Sequence, residues 1–213
     1  MLGLTLPLLI SRIIILVISL PFHELAHAFT ADRLGDDTPR MYGRLSLNPL
    51  VHLDVMGSLM ILVAGFGWAK PVPINPYALQ RRTSAGVMWV SLAGPMSNLL
   101  LALLATVPLK MGIVPITPGT RFFPSPYTFL LDFIAINLLL MVFNLIPLAP
   151  LDGEKIFSYF FPPPVQRFMD QIRPYGPVIL MGLVFVLPFF GLDVFRWILL
   201  PVLRTLMGLL GVG

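Results

Sequence analysis

Cysteine is absent from the 213 residues. That excludes disulfides and thiolate chemistry, catalytic or metal-binding. Charge is scarce as well: Asp, Glu, Lys and Arg make up 11% of the chain, where a soluble domain carries roughly 25%. Hydrophobic residues reach 57% and the mean hydropathy is +0.88. A chain so poor in charge cannot cover a water-facing surface. Its apolar runs approach the ~20 residues that a membrane-crossing helix needs. The first of these runs has neither the basic n-region nor the small-residue cleavage site of a signal peptide, so it is expected to be retained. There is no internal repeat, no low-complexity linker and no polar stretch long enough for a separate domain. The net charge of +4 and pI near 9.8 come from Lys and Arg scattered through loops. That distribution fits orientation in a lipid bilayer and gives no reason to expect nucleic acid as a partner.

Proline and glycine, by contrast, are plentiful, at 22 and 17 residues. Broken helices and irregular backbone are tolerated at membrane depth only where protein or a water-filled cavity covers them, so an enclosed polar site is expected. Five apolar stretches are long enough to span, or nearly so: residues 4–31, 85–109, 129–148, 175–190 and 194–210. A sixth, at 55–66, is too short and reads as a re-entrant or interfacial hairpin. Within 32–84, the alternation in RLSLN and the Pro-x-Pro of KPVPIN suggest short extended segments joined by turns. The stretch 156–173, interrupted by PPP, reads as interfacial. The fold class is therefore an all-α polytopic membrane protein with about five spanning helices and a re-entrant or extended irregular region after the first. It forms one domain over 1–213, with a core at 4–157 and C-terminal helices at 175–211.

Two of the three histidines and one of the two glutamates lie within five residues, in the run LVISLPFHELAHAFTA. Ionisable groups at membrane depth cost several kcal/mol (about 3 on insertion scales) unless paired or metal-bound. Positions i and i+4 share a helix face, so His23 and His27 can present two imidazole nitrogens to one ion. Glu24 beside them can reach a water on that ion. This H-E-x-x-H spacing is the zinc-binding and general-base arrangement of metalloproteases. A solvated helix face does not explain it, because Arg12 is the only other ionisable group between residues 4 and 31.

A catalytic zinc site needs a third protein ligand and an open position. The candidates are His52 and the ten carboxylates. Asp152 stands out, because Pro147 and Pro150 break the third apolar stretch just before it and Gly153 follows. By itself an Asp-Gly pair at a membrane boundary is a plain turn; beside H-E-x-x-H it becomes a ligand candidate. His52, in NPLVHLD, either shields the metal, orients substrate, or caps a turn. Arg12 lies about 16 Å of helix rise from His23 and outside the site. It either snorkels to the headgroups or pairs with an acidic residue.

HELAH in a membrane helix, AGPMSN in the next apolar stretch and NLIPLAPLDG in the following one, in that order, resemble the site-2 protease family of intramembrane zinc metalloproteases. GRLSLNP and GWAKPVPINP look like a compact prokaryotic branch without PDZ or CBS domains. The resemblance covers residues 21–157. It implies one Zn2+ per chain held by His23, His27 and Asp152, with Glu24 as general base. Asn144, eight residues before the aspartate, is implied as a hydrogen-bond donor to the developing oxyanion, its alternative role being an interhelical hydrogen bond. Gly94 and Asn98 match the family's G-x-x-x-N/S/G motif and read as close helix packing. The implied substrate is a transmembrane protein or peptide, extended at the site because a helix hides its carbonyls. An exposed edge in RLSLN or KPVPIN could pair with it.

The alternatives are a metal-transporting protein and a catalytically silent one that retains the site. A transporter would use several polar stations along a path. Parity fixes the expected topology. His23 and His27 lie towards the end of the first span and Asp152 follows the third, so those two spans must run in the same direction. That requires 55–66 not to cross. The segment 32–84 then shares a side with Lys155, Arg167 and Arg173. It holds Arg33, Arg40, Arg44, Lys70, Arg81 and Arg82, against Lys110 and Arg121 opposite. The positive-inside rule makes that side cytoplasmic and puts the active site towards it, in what is expected to be a prokaryotic cell membrane.

Overall fold

The computed structural model describes residues 5–54, 57 and 69–212. Helix α1 (Leu6–Arg33) opens with a proline in its first turn, where a missing N–H costs nothing. It ends in a Schellman stop: Gly35 sits at φ 87° and donates to Asp32 O, and Asp36 donates to Ala31 O. Its buried side chains include Ser11, Ile15, Ser19, His23, His27 and Ala31. These recur every four residues, so they form one ridge along the helix.

Two short helices follow, α2 (Thr38–Met41) and α3 (Pro49–His52), then α4 (Pro76–Arg82). Buried polar groups hold this region together. Asp36 accepts from Thr38 N at 3.0 Å and from Asn75 N at 2.6 Å. Arg44 donates to Val51 O at 2.6 Å. Among the described residues there is no strand, only an isolated antiparallel bridge between Leu53 and Ala69. Residues 70–75 run as coil, and Pro71 and Pro73 lack the N–H that a ladder needs. The short run expected at 55–66 lies outside the described residues, apart from Gly57.

Helix α5 (Gly86–Lys110) contains Pro95 and Pro108. Helix α6 (Pro126–Asn144) starts earlier than expected, because Ser125 caps it by accepting from Thr128 N at 3.1 Å. It also stops earlier: residues 145–151 turn away before α7 (Asp152–Ser158) begins. Beyond it, α8 (Pro163–Ile172), a 3₁₀ turn, α9 (Gly176–Met181) and two further helical turns make one rod over Pro163–Phe190. The expected fourth span at 175–190 is thus the second half of a longer helix. The fifth forms as α10 (Val194–Leu209).

Among the described residues, four helices are long and apolar enough to cross a membrane: Leu6–Arg33, Gly86–Lys110, Pro126–Asn144 and Pro163–Phe190. Helix α10 has 16 residues, about 24 Å at 1.5 Å each, short of a ~30 Å hydrocarbon core. The architecture is all-α and polytopic.

Cross-helix pairs set the directions. Ser11 meets Asp132 near the start of α1 and α6, and His23 and His27 meet Asp152 just past the end of α6. Helices α1 and α6 therefore run parallel. His27 pairs with Val90 and His23 with Asn98, so α5 runs antiparallel to both. Ala102 of α5 packs with Ile134, Leu138 and Met141 of α6, and Leu203, Leu206 and Met207 of α10 lie against them. Small residues such as Ala28, Ala31 and Ala102 let the backbones approach, which is how helices gain packing energy in lipid.

Candidate metal centre

His23, Glu24 and His27 are all buried on α1. The Nε2 atoms of His23 and His27 lie 3.0 Å apart, and each is 3.2 Å from Asp152 Oδ2. Three donor atoms from two distant parts of the chain thus converge on one point. Asp152 arrives there as the first residue of α7, after the Pro147 and Pro150 turn. Gly153 permits that approach, since a Cβ there would collide with the Leu145 and Ile146 carbonyl oxygens.

The imidazoles are oriented from outside the triangle. His27 Nδ1 lies 2.7 Å from Val90 O, which can only accept, so Nδ1 carries the proton and Nε2 offers its lone pair inward. His23 Nδ1 lies 2.6 Å from Asn98 Oδ1. Gly94 makes the room: a Cβ there would collide with His27 Nε2 and with Cε1 of both rings. Being one turn on from Val90, Gly94 also leaves His27 a path to that carbonyl.

This donor set fits a metal ion. Asp152 Oδ2 is buried and has no hydrogen-bond partner. A single proton can bridge two of the three atoms, whereas one cation between them satisfies all three. The spacings of 3.0–3.2 Å come close to the edge of a tetrahedron with zinc–ligand bonds near 2.0–2.1 Å, which is about 3.3 Å. Two imidazoles and a carboxylate also match the ligand chemistry of zinc. Glu24 lies close enough to His27 for its charge to act there.

The other sequence candidates fall elsewhere. His52 is buried, and its Nε2 donates to Ser46 O at 2.7 Å, so it holds a turn and is not among the converging donors. Asn144 ends α6 with its Nδ2 donating to Leu140 O at 3.0 Å. Arg12 gains a context: its charge acts on Asp132 of α6, which accepts from Ser11 Oγ at 3.5 Å. That makes a second polar station at the far end of α1. Asn137 of α6 went unnoticed in the sequence. It accepts from Asn98 Nδ2 at 3.0 Å and donates to Phe133 O at 2.9 Å. An asparagine in an apolar helix was the only available hint. Glu154, two residues beyond Asp152, is buried and paired with Arg173, whose Nε donates to it at 3.0 Å.

No protein-family model matches the chain, and no solved structure does. Curated relatives do. "Putative zinc metalloprotease YwhC" of Bacillus subtilis (strain 168) is 44% identical over 177 residues, 83% of this chain and 80% of the relative. "Putative zinc metalloprotease Rip2" of Mycolicibacterium smegmatis is 34% identical over 84% of this chain and 70% of its own length. Its Mycobacterium tuberculosis (strain H37Rv) namesake is 32% identical over 78% and 63%. With four membrane-length helices among the described residues and a converging His-His-Asp triangle, the chain belongs to the zinc metalloprotease family that includes YwhC.

Proposed function

We propose that the protein is an intramembrane zinc endopeptidase of the site-2 protease type, which hydrolyses peptide bonds within or near transmembrane segments of other membrane proteins. The observation that carries this reading is the buried triangle of His23, His27 and Asp152 with Glu24 on the same helix turn, inside a bundle of membrane-length helices. One zinc ion per chain, held by the three donors, would supply Lewis-acid activation of water and of a peptide carbonyl. Glu24 takes the proton of the attacking water at its carboxylate and delivers it to the leaving amine. Asn144 turns its amide from Leu140 O towards the developing oxyanion, adding no charge to the site. The helices exclude bulk water from these steps. A substrate segment enters unwound, because helical carbonyls are already hydrogen-bonded. The irregular segments at 44–48 (RLSLN) and 70–75 (KPVPIN) are the ones available to lie beside it.

The enrichment of Lys and Arg on the side of residues 32–84 supports an active site towards the cytoplasmic face. With no native cysteine, single cysteines at Asp37 and Thr83 should label from the cytoplasmic side; labelling from opposite sides would overturn this topology.

Co-expression with a panel of single-span substrates, wild type against Glu24→Gln, tests the activity. Cleavage by the wild type and loss of it in Glu24→Gln with zinc retained is the expected result. The Ser11–Asp132 station favours one other reading, a metal transporter that uses both ends of α1. Zinc uptake into vesicles without any cleavage would select that reading instead.

A further inference from the structure

We infer that Asn137 and Asn98 are positioning residues that fix the tautomer of His23 from a backbone carbonyl on α6. This rests on the metal reading of the His23–His27–Asp152 triangle. The two imidazoles are held by different means. Val90 O, the partner of His27, is a carbonyl and cannot reverse its role. Asn98, the partner of His23, is an amide that could present either oxygen or nitrogen. If Asn98 turned its Nδ2 towards His23, the Nδ1 atom would have to accept. The proton of the neutral ring would then move to Nε2, inside the triangle, and remove that lone pair from the metal.

The chain of hydrogen bonds behind Asn98 forbids this. Phe133 O can only accept, so the Asn137 atom 2.9 Å from it is Nδ2. Asn137 must then present Oδ1 to α5, where it accepts from Asn98 Nδ2 at 3.0 Å. Asn98 in turn must present Oδ1 to His23 Nδ1 at 2.6 Å. Polarity passes from the Phe133 carbonyl through two amides to the imidazole. Asn98 and Asn137 have no exposed surface, so water cannot satisfy a reversed arrangement. The helix that delivers Asp152 therefore also sets which nitrogen of the neutral His23 ring carries the proton. The Asn98 position of the AGPMSN motif acts through the metal ligand as well as through packing.

The test is zinc affinity of the full-length protein, measured by competition with a chromophoric chelator. Partners of metal-bound histidines typically contribute 10–100-fold to affinity. Asn98→Leu should weaken zinc binding by about that range, and Asn137→Ala by about tenfold. Asn98→Asp should retain zinc, because a carboxylate accepts from His23 whichever way it turns. In the Asn98→Asp background, Asn137→Ala should change affinity by less than about threefold, since no amide is left to hold in place. An equal loss in both backgrounds, or no loss in either, would overturn the inference. Should Asn98→Asp fail to fold, Asn137→Asp and Asn137→Leu decide the matter. Asp still offers an oxygen to Asn98 and should keep affinity near wild type, while the apolar Leu should not; a loss with Asp as large as with Leu overturns the relay. Wild-type protein that holds no zinc would overturn the metal reading itself and this inference with it. Intact wild-type binding without an Asn137 effect removes the relay alone.

Discussion

The bundle of α1, α5, α6 and α7 and the rod at Pro163–Phe190 handle polarity in opposite ways. In the bundle, His23, Glu24, His27, Asn98 and Asn137 are buried, and His23, His27, Asn98 and Asn137 hydrogen-bond across helices. In the rod, α8 buries no residue, and only Gly176 and Leu180 are buried in α9. Phe168, Val178, Phe189 and Phe190 face outward. Two polar links join them at α7: the Arg173 guanidinium on the buried Glu154 carboxylate, which follows Asp152, and Gln166 Nε2 donating to Ser158 O at 2.9 Å. The lesson is that packing precision is concentrated where donor atoms must be placed. The rod meets its surroundings largely through apolar side chains that any lipid can satisfy.

Substitutions should therefore separate the two regions steeply. Glu24→Gln should lower proteolysis by about 10²–10⁴-fold with zinc content unchanged, measured on purified protein with a cleavable single-span substrate. Gly94→Ala pushes a methyl group into both imidazoles and should weaken zinc binding by about 10²-fold in chelator competition. Asn144→Ala should reduce kcat by about tenfold with little change in KM if its amide supports the transition state; a change confined to thermal stability would assign it to packing. Arg173→Ala strands a buried carboxylate, but Arg173 itself is half exposed. It should cost about 1–2 kcal/mol in thermal unfolding, less than the 3–5 of a fully buried pair. Phe189→Ala, on the outward face of the rod, should stay within about 0.5 kcal/mol and leave turnover intact. A rod substitution as damaging as Gly94→Ala would erase the contrast.

Helix positions were largely legible because apolar length is a one-dimensional signal. The stretches at 4–31 and 85–109 match Leu6–Arg33 and Gly86–Lys110 within two residues at each end. The third stretch, expected at 129–148, differs from helix Pro126–Asn144 at both ends. Ser125 capping starts it earlier, and the turn at residues 145–151 stops it earlier, although Leu145, Ile146 and Leu148 are as apolar as the helix before them. The rod was underestimated, because the charged residues Arg167, Asp170 and Arg173 interrupt the apolar run without interrupting the helix. The pairing of His23 with His27 is legible from spacing, and Asp152 as a candidate third donor from its broken-helix context beside H-E-x-x-H. The supports behind them are not. Val90 contributes a backbone carbonyl, which no sequence pattern marks, and Asn137 acts only through a neighbour on another helix. The charge of Arg12 likewise reaches Asp132 only once α1 and α6 lie side by side.

The central claim is that His23, His27 and Asp152 hold one zinc ion. Zinc-edge X-ray absorption with elemental analysis, on the purified full chain and on Asp152→Ala, tests it most directly. One zinc per wild-type chain, bound by two imidazoles and oxygen at about 2.0–2.2 Å, with a sharp loss of metal in Asp152→Ala, is the predicted result. Zinc content unchanged in Asp152→Ala, or a wild-type protein that binds none, would contradict it.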